Sequence, residues 1–498
     1  MSTPHYDVLI VGAGLSGIGA AFHLKKNCPH KTFAVLEGRD AIGGTWDLFR
    51  YPGIRSDSDM YTLGYSFRPW REGKAIADGP AIRRYVKNTA DQYDITQKIH
   101  FNHWVTRYSW CSESARWTVE ATDKERQKTV HMTCNFLMNC SGYYRYDKGY
   151  TPQIPGLDRF KGQVVHPQHW PEDLDCSNKR VVVIGSGATA VTLVPALADR
   201  GAHVTMLQRS PTYIVSLPDV DHIARWLQRM LPARLAYQIT RWKNVGLQMF
   251  FFQFARRFPK LARRNIRRQQ RKALGPDFDI DTHLNPSYNP WDQRVCLVPN
   301  GDLFRVLREG TAEMVTDHIE TLTDNGIRLK SGRELEADIV ITATGLNVLA
   351  FGGARIDVDG RRVSLPETFS YKGMMLSGVP NFAFVVGYTN ASWTLKADLV
   401  SEYSCRLINY MDRHGYDFCT PQLDGQLGQA PFLDLDAGYV RRALDRLPKQ
   451  GDRSPWRLYQ NYVLDLLGLR FGKVEDSAMH FYRTPERQTD TLASQSGA

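Results

Sequence analysis

The chain has 498 residues, 42% hydrophobic and 23% charged, which is a globular balance too long for one ordinary core, so two or three domains are expected. Its eight cysteines include no C-x-x-C pair, which argues against a zinc site, a redox dithiol and a secreted disulfide framework, and no metal is expected. The net charge is +11, but much of the excess is local: nine of the seventeen residues Arg256 to Lys272 are basic and none is acidic, unlike the spread or striped charge of a nucleic-acid binder.

Tyr6 to Val11 (YDVLIV) read as a buried strand, GAGLSGIGAAFHLKK as a turn running into a helix, and KTFAVLE, ending at Glu37, as the next strand of a βαβ unit. No basic stretch precedes the first apolar run, so no signal peptide is expected and a cytoplasmic protein is the default. Gly12, Gly14 and Gly17 have the spacing Gly-x-Gly-x-x-Gly between strand and helix, and Glu37 lies twenty residues beyond Gly17. Such a site binds a dinucleotide: Gly12 permits the tight turn, Gly14 lets backbone approach a pyrophosphate and Gly17 lets the helix pack closely. The helix N-terminus faces the phosphates, and Glu37 accepts from ribose hydroxyls.

Next comes GGTWDLFRYPGIRSD, Gly43 to Asp57, rich in glycine, aromatics and charge but with no helical or strand period. A mixed segment from Ser58 to about Gly142 holds the strand-like RWTVEA and FLMNCSG. A second β-α-β pattern starts at RVVVIGSGATAVTLVPALA and closes with HVTMLQRS. Its turn reads Gly185-x-Gly187-Ala188-Thr189-Ala190, and Arg209 and Ser210 stand where the first unit has its acid. A carboxylate there would repel a 2′-phosphate, whereas an arginine and a hydroxyl attract one, so the first site favours FAD and the second NADPH. Two such sites imply electrons passing from nicotinamide to flavin. With no paired cysteines to accept them, molecular oxygen is the expected acceptor.

Residues from about Pro218 to Pro276 read as helical and basic, with Ile223, Leu227 and Met230 at helical spacing around Trp226. The longest apolar stretch, near GLQMFFFQFA, is too short to span a bilayer. The strand-like GIRLKSGRELEADIVITATG follows, and beyond about Glu486 the chain is polar and reads as disordered. The fold class expected is α/β, with two Rossmann-like dinucleotide-binding domains. The FAD domain takes residues 1–145 and 346–485, and the NADP domain 146–217 and 291–345. A helical insert in the NADP domain, 218–290, and a polar tail, 486–498, complete the division.

Two longer motifs then place the chain. FKGQVVHPQHWP, between the dinucleotide units, fits F-x-G-x-x-x-H-x-x-x-W-P through Phe160, Gly162, His166, Trp170 and Pro171. The stretch from Gly43 fits G-G-x-W-x-x-x-x-Y-P-G-x-x-x-D through Gly43, Gly44, Trp46, Tyr51, Pro52, Gly53 and Asp57. This order resembles the type I Baeyer–Villiger flavin monooxygenases over nearly the whole chain. GGTWDLFRYPGIRSDSDMYTLG, HPQHWPEDLD, NPWDQR and GYTNASWTLKADLVSE are similar to the ethionamide-activating monooxygenase subgroup.

The resemblance implies an enzyme that consumes NADPH and O2 and inserts one oxygen atom beside a ketone carbonyl through a C4a-peroxyflavin. The ester is the product, and sulfides or thiocarbonyl sulfur are further substrates. It implies that Thr45, Trp46 and Asp57 contact FAD, joined by Ser16 and by the backbone of Val105 near the adenine. Arg55 and Ser56 are implied NADP contacts. Arg294 is the implied catalytic cation, with Asp57 holding its position and charge, while His166 and Trp170 fall on an interdomain linker. The other reading from the same motifs is an N- or S-oxygenating flavin monooxygenase without an ester product. FFFQFARRFPKLARRNIRRQQRK admits two further readings, a solvated helical face and a peripheral contact with an anionic membrane. Nothing else in the sequence supports nucleic-acid binding.

Overall fold

The computed structural model describes residues 3–433 and 435–484, so the polar tail predicted from 486 lies outside the described residues. The two glycine-rich turns each follow a parallel-paired strand in a sheet of their own, the first mixed and the second all parallel. Strand His5–Val11 pairs in parallel with Phe33–Leu36 on one side (Ile10 opposite Val35) and with Lys128–Asn139 on the other (Ile10 opposite Met138). Its apolar run is buried because a parallel sheet is covered on both faces. The long strand Lys128–Asn139 also closes an antiparallel meander with Arg116–Asp123 and His103–Cys111. Phe382–Phe384 joins the far end of that strand, returning the last third of the chain to the first domain. Helix Trp393–His414, from the same return, packs along helix Leu15–Asn27 and carries Leu395, Leu399 and Val400 into the first core.

The second sheet has five parallel strands in the order Ala312–Thr316, His203–Gln208, Arg180–Ile184, Ile339–Thr342, Gln163–Val165. The last of these lies within the stretch from Phe160 to Pro171 expected to be an interdomain linker. Its backbone pairs with Ile339–Ile341, so residues Gln163–Val165 of that motif form an edge strand, and His166 and Trp170 lie in the connection that follows it. The short run QVV gives too little period for the sequence to announce a strand.

Three long helices, His222–Met230, Ala233–Arg257 and Pro259–Leu274, make up most of the insert, and a single turn, Ile280–His283, follows them. Along the chain it is enclosed by strands Tyr213–Leu217 and Val295–Pro299, which pair with each other in parallel. Its packing is divided. Gln270 Nε2 donates to the Ile214 carbonyl at 3.0 Å and ties the third helix to the second domain. The middle helix packs on the first domain: Tyr237 Oη donates to the Tyr65 carbonyl at 3.0 Å. Arg241, 4% exposed, donates from Nη1 to the carbonyls of Tyr61 (2.8 Å) and Gly64 (2.7 Å). The insert assigned by sequence to the NADP domain thus straddles both domains. A buried guanidinium must be satisfied, and the carbonyls that satisfy it belong to residues 61–64.

Candidate functional site

A cavity of about 1130 Å³ runs between the two sheets and the insert. Gly12, Gly14, Ser16 and Glu37 of the first glycine motif line it, together with Gly43, Gly44, Thr45, Trp46 and Val105. Gly17 lies beneath the turn, where a β-carbon would stand 1.8 Å from the Gly12 carbonyl oxygen. Helix Leu15–Asn27 therefore starts hard against the strand, and no side chain caps its first turn. Glu37, 5% exposed, accepts from the Ala13 N–H at 2.7 Å and the Arg39 N–H at 3.0 Å. Burial pushes its carboxyl above the ordinary range against the pull of those two bonds. Ser16 Oγ accepts from the Trp393 indole N–H at 2.8 Å, joining the first turn to the segment that returns from the C-terminal third.

The stretch from Gly43 to Asp57 is folded against both domains. Gly43 N–H donates to the Ala13 carbonyl at 3.1 Å, and a four-residue helix, Thr45–Leu48, follows. Asp47 is buried there and its carboxylate is held by Arg39, by Arg50 at 2.9 Å and by Arg83 at 3.1 Å. Burial raises this carboxyl, and the surrounding guanidinium groups outweigh it and hold it below the usual carboxylate range. Gly53 has φ +79°, and a β-carbon on it would come within 2.4 Å of the Thr192 carbonyl in the second domain's helix Ala188–Ala198. Only glycine fits such an approach in that backbone conformation. Arg55 is engaged in an ion pair with Asp302, and Ser56 Oγ accepts from the Ser58 N–H at 2.9 Å.

Of the second glycine motif, Ala188 and Thr189 reach the cavity wall, while Gly185, Gly187 and Ala190 lie outside it. A β-carbon on Gly187 would meet nothing within 4 Å, so this turn faces open space, and no side chain caps the helix that follows. Arg209 and Ser210 are exposed at the end of strand His203–Gln208, and Arg209 forms no ion pair among the described residues. The Ser210 carbonyl accepts from Ser186 Oγ at 3.2 Å, which keeps that strand end beside the turn.

Arg294 and Asp57, 237 residues apart in the chain, meet at the centre: Arg294 Nη1 donates to Asp57 Oδ2 at 3.0 Å. Arg294 immediately precedes strand Val295–Pro299. It sits deep in the molecule, yet 38% of its side chain is accessible because it faces the cavity. Burial opposes its charge; the Asp57 carboxylate overcomes that and keeps the group protonated well above its usual range. Three residues upstream, Trp291 holds φ +72°, a left-handed conformation that is strained for an aromatic residue.

Sequence reasoning missed the aromatic wall of this centre. Tyr143 and Tyr144 lie beside Arg294, their hydroxyls 2.6 Å apart, and burial pushes Tyr144 up to about 12. Tyr143 stacks on Trp393 with ring centroids 5.2 Å apart. Asn390 donates to the Gln460 carbonyl at 2.9 Å, but its buried Oδ1 has no partner among the described residues although the residue lines the cavity. Trp393 and Asn390 do lie within the quoted GYTNASW, so their segment was visible and their contacts were not. His166 lies off the cavity, its Nδ1 accepting from the Gln168 N–H at 3.1 Å, and burial lowers its pKa. Among the described residues no cluster of His, Cys, Asp or Glu is arranged to hold a metal.

The family described as "Flavin-binding monooxygenase-like" matches residues 75–257, and the "NAD(P)-binding Rossmann-like domain" matches residues 10–78. The FAD-containing monooxygenase EthA of Mycobacterium tuberculosis is 56% identical over 485 residues, covering 97% of this chain and 99% of the relative. A steroid monooxygenase bound to NADP superposes with a TM-score of 0.75 at 22% identity over 97% of this chain and all of that one. The enzyme OTEMO in complex with FAD and NADP has a TM-score of 0.71 at 24% identity, covering 84% of this chain and 87% of its own. At such identities these two show a shared fold.

Proposed function

The chain belongs to the FAD-containing monooxygenases, and from that premise we propose that it is a Baeyer–Villiger enzyme that converts a ketone, O2, NADPH and a proton into an ester, water and NADP+. Sulfides and thiocarbonyl sulfur are oxidised in the same site. The observation that carries this reading is the cation Arg294, paired to Asp57 and facing a cavity that both dinucleotide motifs approach.

The residues fit two dinucleotides. FAD would lie on Gly12, Gly14, Ser16 and Gly17 at the uncapped start of helix Leu15–Asn27, with Glu37 toward its ribose and Val105 beside its adenine. Thr45, Trp46 and Asp57 would border its reactive end, where the orphaned Oδ1 of Asn390 offers an acceptor to a bound N–H. NADPH would lie over Gly185, Gly187, Ala188, Thr189 and Ala190, with Arg209 and Ser210 taking the 2′-phosphate. Ser56 and Arg55 would approach it from the first domain, Arg55 with its charge already balanced by Asp302. When bound and reduced, the flavin supplies the activation of dioxygen.

The protein's own part is to hold charge in place and to shape the wall around it. Arg294 stays protonated and stands ready for negative charge that develops on the oxygens of the reacting ketone. Asp57 positions that guanidinium. Tyr143, Tyr144 and Trp393 wall one side of the centre with aromatic rings, a less polar lining that strengthens the charge interactions beside it.

The test is to supply the FAD-loaded protein with NADPH, 18O2 and a panel of methyl ketones and sulfides, and to read the products by mass spectrometry. One heavy oxygen in an ester is expected. Labelled sulfoxides with no ester from any ketone would sink the proposal in favour of an N- or S-oxygenating flavin monooxygenase. In Arg294→Ala, NADPH should still bleach the flavin while ester formation falls about 10²–10³-fold.

A further inference from the structure

We propose that the helical insert is a docking surface for an anionic lipid bilayer, and that it sets the mouth of the cavity against the lipid so that apolar substrates enter from the membrane. The 53 residues from His222 to Leu274 contain fourteen Arg or Lys and not one Asp or Glu. On the third helix Lys260, Arg264, Arg268 and Lys272 recur every fourth residue, all exposed, and none forms an ion pair among the described residues. Like charges at that spacing destabilise a helix, so the ridge is held at a cost that an anionic surface would reverse.

Apolar side chains are exposed on the other two insert helices. Ile223, Trp226 and Met230 lie on one face of the first helix, and Leu235, Ile239 and Trp242 on one face of the second, all exposed. The Trp242 ring sits 5.8 Å from that of Tyr462, which joins a further exposed group, Val463, Leu464, Leu467 and Phe471. Exposed apolar side chains on two helices, next in the chain to a helix with a cationic ridge, fit the interface of a bilayer. Among the described residues no helix is long and apolar enough to cross one.

The cavity decides what the docking would do. Leu217, Ile223, Leu247 and Phe251 line it and are also 54, 55, 45 and 58% exposed, so its mouth is rimmed with apolar groups open to the outside. Leu247 and Phe251 are on the second insert helix and Ile223 on the first. A second copy of this chain is a poorer occupant. A two-fold contact would set the same cationic ridge against itself, with no acid between residues 222 and 274 to balance it.

Docking rests on the surface alone, and delivery of substrate rests also on the proposed reaction. Co-sedimentation with phosphatidylglycerol vesicles and with phosphatidylcholine vesicles separates the outcomes. Binding to the first only, weakening as salt rises, is expected. Replacing Lys260, Arg264, Arg268 and Lys272 with Gln should cut partitioning about 10²-fold or more. The double variant Trp226→Ser, Met230→Ser should lose binding while turning over a short water-soluble ketone at the normal rate and a vesicle-dissolved long-chain ketone poorly. Wild-type protein that stays in the supernatant overturns the proposal, as does unchanged vesicle binding by the double variant. If the double variant instead turns a dimer into a monomer in sedimentation velocity and keeps its vesicle binding, the face joins two copies and the proposal fails. Vesicle binding without oxygen transfer to any ketone leaves docking standing and removes the Baeyer–Villiger reading.

Discussion

A β-carbon on Gly17 has nowhere to go, because the Gly12 carbonyl oxygen would stand 1.8 Å away. Gly17→Ala must therefore push the helix off the turn and spoil the backbone approach to a pyrophosphate. We expect the purified variant to have lost most of its bound FAD, read as the flavin absorbance per protein after gel filtration. Retention of a full complement would contradict the packing role. Residues of this kind are legible in sequence because their task is local: three glycines and an acid keep a fixed spacing along one βαβ unit. Tyr143, Tyr144 and the free Oδ1 of Asn390 are not legible in that way. Nothing in a tyrosine's neighbours along the chain says that an arginine 150 residues later will lie beside it.

Helix Thr45–Leu48 is a single turn, far too short to hold itself together in water. What holds it is Asp47, buried under three guanidinium groups. Because the folded protein keeps this carboxyl below its ordinary range, the group contributes stability in full above about pH 4 and loses it as pH falls toward the lower folded value. Asp47→Asn should cost about 1–3 kcal/mol near neutrality, the arginines being partly solvated, and should flatten the acid limb of a stability profile between about pH 5 and pH 2. An unchanged acid limb would place the stabilising charge elsewhere. Arg241 does the corresponding work for the insert. Arg241→Met removes the donor to several carbonyls and should cost about 3–5 kcal/mol, seen as a lower Tm and earlier proteolysis of the middle insert helix. The helical period of the insert was readable, since amphipathic spacing is a property of the chain alone. Its double allegiance was not, because the carbonyls that satisfy Arg241 lie some 180 residues away.

The two domains meet where the stretch from Gly43 to Asp57 crosses from one to the other. Gly53 presses on Thr192, and the buried Tyr51 phenol faces Thr192 and Thr189 of the same helix. Gly53→Ala adds a carbon 2.4 Å from a carbonyl and places alanine at φ +79°, so it should shift the domains apart without touching the first glycine turn. The expected result is normal flavin content, a KM for NADPH raised about 10- to 100-fold and less product per NADPH consumed, in line with the penalty for misplacing reacting groups. Lost flavin with normal NADPH kinetics would contradict that. At this scale the two glycine-bearing βαβ units, the acid in one and the arginine in the other, are legible along the chain. Two long motifs also carried the resemblance to the flavin monooxygenases to which the chain belongs. Those are written in short-range spacing, which a chain cannot hide. That Arg294 meets Asp57, that QVV is an edge strand, and that the insert bridges both domains and places exposed apolar side chains at the cavity mouth emerges with the folded chain. Each of those depends on contacts between residues far apart in the chain. Burial and the need to satisfy buried polar groups choose among many compatible pairings, and no local pattern records the choice.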